Sequence, residues 1–81
     1  MSPAALLILG RRVGVRETVD RAGELVGIPY SSRWRRAAAE GWPLIGEPGA
    51  QRVLMIPWCE LQGIPYQVIT TDQTEEEASH E

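Results

Sequence analysis

Residues 18–41, TVDRAGELVGIPYSSRWRRAAAEG, read as two short helices joined by a tight turn. Thr18 suits a helix start, because its hydroxyl accepts from the backbone N–H groups that a first turn leaves without partners. Val19, Ala22, Leu25 and Val26 follow at i, i+3, i+6 and i+7, one apolar stripe at helical period. Gly27 fits the left-handed residue that ends a helix, and Pro29 prevents its continuation. A second helix restarts at Ser31 or Ser32, both good caps. Stepping about 100° per residue from Trp34 places Ala37, Ala38 and Gly41 on its side. Ser32, Arg35, Arg36 and Ala39 point the other way, with Arg33 and Glu40 on the flank. The expectation is a Trp34 buried against helix one, touching Leu25 and Val26 with Trp58 nearby, and arginines facing out.

A small apolar helix followed by one that is apolar inward and arginine-bearing outward is the build of a DNA-reading helix-turn-helix. The chain after it adds a hairpin. Gly41-Trp42-Pro43 ends the second helix, and Leu44-Ile45 makes a short strand. Pro48-Gly49 sits at the centre of a type II turn. Residues 51–56 (QRVLMI) return as the second strand. Pro57 then opens a third, short helix with Trp58, Leu61 and Cys59 turned inward, and Gly63 ends it. "ELVGIPY" at 24–30 recurs as "ELQGIPY" at 60–66. The flanks do not match, so this is one helix-stop device used twice: glycine, an apolar residue, proline.

These residues resemble a known family. "TV..AGELVGIP", the arginine-bearing second helix, "EGWP" and the Gly/Pro-rich loop ahead of "RVLMIPWCEL" resemble a winged helix of the excisionase/MerR type. The "GIP.S…A..EGW" run is similar to the N-terminal DNA-binding domains of Mu-like phage repressors and transposases, and phage terminase small subunits share the element order. The resemblance covers roughly residues 17–62; the Gly27–Gly41 interval is one residue longer than the excisionase pattern and two shorter than the Mu type. It implies an α+β fold: a small winged helix-turn-helix with two or three short helices and a β-hairpin wing. It also implies a phage-like repressor or excisionase that works on double-stranded DNA.

Length and charge agree with a single small domain. Eighty-one residues hold one core, and the absence of phenylalanine puts much of its large apolar volume on Trp34, Trp42 and Trp58. The single Cys59 excludes an intramolecular disulfide and fits a reducing, cytoplasmic compartment. No Cys/His cluster has metal-ligand spacing, and no catalytic constellation or phosphate loop is present, so neither an enzyme nor a cofactor is expected. The net charge of −3 hides an asymmetry. All eight basic residues are arginines between Arg11 and Arg52, against five acids there, for +3; from Val53 on, six acids stand alone, for −6.

Residues 1–15 form an N-terminal arm or strand, residues 16–70 the winged helix-turn-helix domain, and residues 71–81 a disordered acidic tail. Leu6–Leu9 is a short strand or a self-association edge, and the apolar run is too short for a signal peptide or a membrane span. Gly10–Gly14 reads as a basic, flexible connection, with Arg11 and Arg12 solvated or touching phosphate. Tyr66–Thr70 is a terminal strand pairing with the wing or the arm. In the expected complex, Arg33, Arg35 and Arg36 present guanidinium groups to guanine edges. Ser31, Ser32 and Arg52 hold phosphates. The plain alternative is a solvated helix face with Arg36 and Glu40 paired at i,i+4. Partners other than DNA are a second copy, as dimer or cooperative array, and a host or phage protein, for which the same scaffold would be an adaptor or inhibitor.

Overall fold

A computed structural model of the chain describes residues 2–71, with side chains from residue 3 to residue 70. Residues 72–81 of the expected acidic tail lie outside the described residues. The order is β1 (Ser2–Ile8), β2 (Arg11–Val13), β3 (Arg16–Glu17), α1 (Val19–Leu25), a 3-10 turn (Tyr30–Ser32), α2 (Arg33–Glu40), β4 (Leu44–Ile45), β5 (Arg52–Leu54), α3 (Met55–Gln62) and β6 (Tyr66–Thr71). Over the described residues the protein is thus a small α+β domain with three α-helices and two antiparallel three-stranded sheets, ordered β2-β1-β6 and β3-β5-β4.

Helix α1 starts, and all three helices stop, as their sequence dictates. Thr18 Oγ1 accepts from the Arg21 N–H at 3.0 Å and caps α1. All three helices end on one device, glycine then an apolar residue then proline: Gly27-Ile28-Pro29, Gly41-Trp42-Pro43 and Gly63-Ile64-Pro65. Each glycine has φ near +70° (74°, 68° and 72°), which L side chains resist. The apolar residue's N–H then reaches back to a carbonyl in the last turn: Ile28 to Gly23, Trp42 to Ala37 and Ile64 to Cys59, at 2.9–3.0 Å. This satisfies carbonyls that a helix end leaves open. It also folds Ile28 and Trp42 inward, where both are buried. The device therefore occurs three times, once more than the repeated GIPY segment indicates.

Trp34, residues 10–14 and Leu61 depart from expectation. Trp34 does not enter the core; it is 51% exposed, and Ala37 is the buried residue of α2. The reason lies at Gly23 on α1, where the stem of Arg33 already occupies the joint between the helices. Residues 10–14 are not a flexible connection: Leu9 and Gly10, with φ of 51° and 79°, form a two-residue turn that folds Arg11–Val13 back on β1. Positive φ at both central positions marks the type I′ turn, whose twist matches a hairpin. Leu61 is exposed, because α3 turns Met55, Trp58 and Cys59 to the core and leaves Leu61 off that arc.

Burial in β1 follows the two-residue period of strand geometry. Leu6 and Ile8 of β1 face inward, fully buried, with Val13 opposite Leu6. β6 pairs with the other edge of β1, Leu6 opposite Val68 and Ile8 opposite Tyr66. In the second sheet β5 is central, with Leu44 and Glu17 both opposite Val53. The strand expected over 51–56 is shorter, because Met55 already begins α3 and its N–H is taken by the Val15 carbonyl at 2.9 Å. Pro57 consequently sits in the first turn but not at its first residue, where a missing N–H still removes no helical bond. Residues from both sheets and all three helices share one core, with Trp58 fully buried and packed edge-on to Trp42 at 5.5 Å between ring centroids.

Candidate nucleic-acid interface

Helix α2 is amphipathic about a different axis from the one centred on Trp34. With Ala37 as the inward direction, steps of about 100° put Arg33 about 40° to one side and Trp34 about 60° to the other. Arg35 and Ala39 then lie outermost, Ala38 flanks on the Trp34 side, and Arg36 and Glu40 flank on the opposite side. The exposures agree: every residue of α2 except Arg33 and Ala37 is exposed.

Arg33 belongs to the joint between the helices. Its stem crosses Gly23 so closely that a Cβ there would stand 2.6 Å from Arg33 Cγ. Its Nε donates to the Ile28 carbonyl at 2.8 Å, and its guanidinium carbon lies 5.6 Å from the centre of the Tyr30 ring. A half-buried arginine held this way fixes the angle between α1 and α2, and it has less freedom to reach out than its neighbours.

The other candidates divide by what already holds them. Arg35 NH2 donates to Ser32 Oγ at 3.0 Å, with no carboxylate partner among the described residues. Ser32 therefore receives a side-chain donor in place of capping the helix, and Ser31 is exposed beside it. Arg36 pairs with Glu40 at 3.3 Å across an exposed face. Arginine preceding glutamate at i,i+4 is the weaker order, so the pair holds Arg36 only loosely. Arg52 is exposed on β5, opposite Ile45, and no hydrogen bond or ion pair joins it to α2.

Glu40 pins the far end of α2. Its Oε1 accepts from Trp42 Nε1 and from Gln62 Nε2, both at 2.9 Å, while Oε2 faces Arg36. The Trp42 donor, then Gln62 and Arg36, hold the Glu40 carboxyl below the usual glutamate range, against a smaller opposing effect of desolvation. One carboxylate thus ties α2, the loop to the hairpin and the end of α3. Nothing in the sequence marked Glu40 for this role beyond its pairing with Arg36, since Gln62 lies 22 residues away.

The hairpin carries a second cationic face. The Glu47 carbonyl accepts from the Ala50 N–H at 2.8 Å, and Gly49 has φ 91°, as a type II turn over Pro48-Gly49 requires. Residues opposite one another in an antiparallel pair share a face. Ile45 and Arg52 therefore lie on the face away from buried Val53, as do Leu54 and its partner Arg16. Arg16 is exposed and has no carboxylate partner among the described residues. No local pattern in the sequence singles out Arg16; the pairing of β3 with β5 puts it on the same face as Arg52. Among the described residues no helix is long and apolar enough to cross a membrane, and no group of His, Cys, Asp or Glu has the arrangement of a metal site. No protein-family model, curated protein or solved structure matches the chain.

Proposed function

We propose that the protein is a small DNA-binding regulatory or architectural factor, built as a winged helix-turn-helix of the excisionase or phage-repressor kind. Helix α2 enters the major groove and the β4–β5 hairpin serves as the wing. The observation that carries the reading is the outward face of α2, where Arg35 stands outermost with no carboxylate partner among the described residues and Arg36 flanks it. Both are aimed by the Arg33–Ile28 joint at one end and the Glu40 node at the other. Arg35 and Arg36 meet base edges, where a guanidinium matches guanine O6 and N7. Ser31, Ser32, Arg52 and Arg16 hold phosphates and set register. Arg33 supports the site from behind.

Salt titration of binding to short duplexes tests this. The logarithm of affinity should fall linearly with the logarithm of salt, by about 0.9 for each phosphate neutralised. Arg35→Ala should weaken the preferred duplex by roughly 1–3 kcal/mol, and Arg52→Ala should weaken all duplexes alike and reduce the slope by about one. Duplex affinity unchanged in both variants ends the proposal. The exposed rings of Tyr30 and Trp34 favour a second reading, a protein-binding adaptor on the same scaffold. A stoichiometric protein complex that survives removal of Arg35 and Arg36 would select it.

A further inference from the structure

We propose that Trp34 makes α2 a reader of thymine, through contact of its indole with the C5-methyl group; this rests on the DNA-binding reading above. The exposed flanks of α2, on either side of its buried Ala37, carry two chemistries. Arg36 with its partner Glu40 occupies one. The other holds Trp34 and Ala38, with no charge. Trp34 is 51% exposed, and its Nε1 makes no hydrogen bond with any described residue. Tyr30, one turn earlier, is 72% exposed but already has the Arg33 guanidinium near its ring. Trp34 is therefore the large apolar side chain that this helix presents without covering.

The groove offers it one complementary group. Of the groups displayed on the major-groove edges of the four bases, the thymine methyl is the one sizeable apolar group, beside the small C5–H of cytosine; the rest are hydrogen-bond donors or acceptors. An indole pressed against any other edge desolvates polar atoms it cannot repair, apart from the one acceptor its N–H reaches. Ala38, on the same flank, is small enough to let the ring lie close to the helix and meet the base edge. Arg35, between the flanks, is placed to reach a neighbouring guanine. The preferred site thus contains thymine beside guanine, with the methyl read by Trp34.

The test begins with a duplex enriched from a random library by the intact protein. Each thymine in it is then replaced singly by deoxyuridine, which removes one methyl and nothing else. A buried methyl contributes about 0.8 kcal/mol, so one or two replacements should weaken the wild-type protein about fourfold each. The same replacements should leave Trp34→Ala, already weaker on the parent duplex, unchanged. Near-ultraviolet circular dichroism from the buried Trp42–Trp58 pair checks that the variant is folded. Equal deoxyuridine losses in both proteins, or an enriched site without thymine, overturn the inference and leave DNA binding standing. Failure to enrich any duplex removes the DNA-binding reading and this inference together. Tighter binding to single strands than to duplex, lost in Trp34→Ala, overturns it in favour of base stacking.

Discussion

Gly23→Ala should destabilise the protein in its natural background and stabilise it when Arg33 is gone. In the interior of a helix such as α1, alanine is ordinarily better than glycine by roughly 0.8–1.0 kcal/mol. Here the added Cβ would stand 2.6 Å from Arg33 Cγ and 2.7 Å from Cδ, carbons in the middle of the side chain and not at its free end. Arg33 yields only by lifting Nε from the Ile28 carbonyl, a 2.8 Å bond. A hydrogen bond from a charged donor contributes about 1.5–3 kcal/mol. The difference is a net loss of about 0.5–2 kcal/mol for Gly23→Ala. At roughly 4–8 °C per kcal/mol for a domain of this size, melting shifts visibly. In Arg33→Ala the obstacle is absent, and adding Gly23→Ala should return the full propensity gain of about 0.8–1.0 kcal/mol. Urea unfolding followed by tryptophan fluorescence on all four proteins gives the cycle. A Gly23→Ala protein at least as stable as its parent, with Arg33 present, refutes the joint.

Trp58→Ala should cost about 3–5 kcal/mol, while Trp34→Ala should cost little, because the first is fully buried and the second is 51% exposed; equal losses by thermal melting would reverse the assignment. Leu9→Asn should stabilise by on the order of 1 kcal/mol, since Leu9 is held at φ 51° and Asn-Gly is the preferred pair for a type I′ turn; an unchanged urea midpoint counts against that turn. Glu40 has a folded pKa below its unfolded value, set first by the Trp42 N–H. Its contribution is therefore present above the unfolded value, about 4.3, and is lost as pH falls through the lower folded one. Glu40→Gln should flatten melting against pH in that acid window, and an unaltered acid limb would show that the node carries no charge-dependent stability. Burial, then the neighbouring Glu60 charge, raises the Cys59 thiol, so alkylation at neutral pH should proceed only as fast as the protein opens; rapid labelling of the native state contradicts the packing.

Sequence determined the local elements, because their signals act within a few residues. Thr18 three residues before the N–H it caps, the Gly-apolar-Pro stops and the Pro48-Gly49 turn are short-range devices, and each forms as its residues require. The apolar run in β1 announced a strand but not its facing, since Leu6, Leu7 and Ile8 are equally apolar and only packing turns Leu6 and Ile8 inward and leaves Leu7 exposed. Leu9-Gly10 escaped because leucine is a poor type I′ residue, so the turn follows from the pairing of β1 with β2 and not from its own chemistry.

Tertiary structure decided the rotation of α2, and with it the content of the candidate site. Periodicity gives the angles between side chains on one helix but not which angle meets the neighbour; a tryptophan at the centre of an apolar arc looks like the anchor when the helix is read alone. The partner surface chose otherwise: Gly23 on α1 lies directly against the stem of Arg33, and the residue that α2 buries is the small Ala37 and not the indole. That choice turned the stem of Arg33 inward, left Arg35 outermost and kept Trp34 half-exposed at the edge of the helix contact. The meeting of Glu40 with Gln62 and of β3 with β5 is of the same kind, set by contacts between residues far apart in sequence that only close packing brings together.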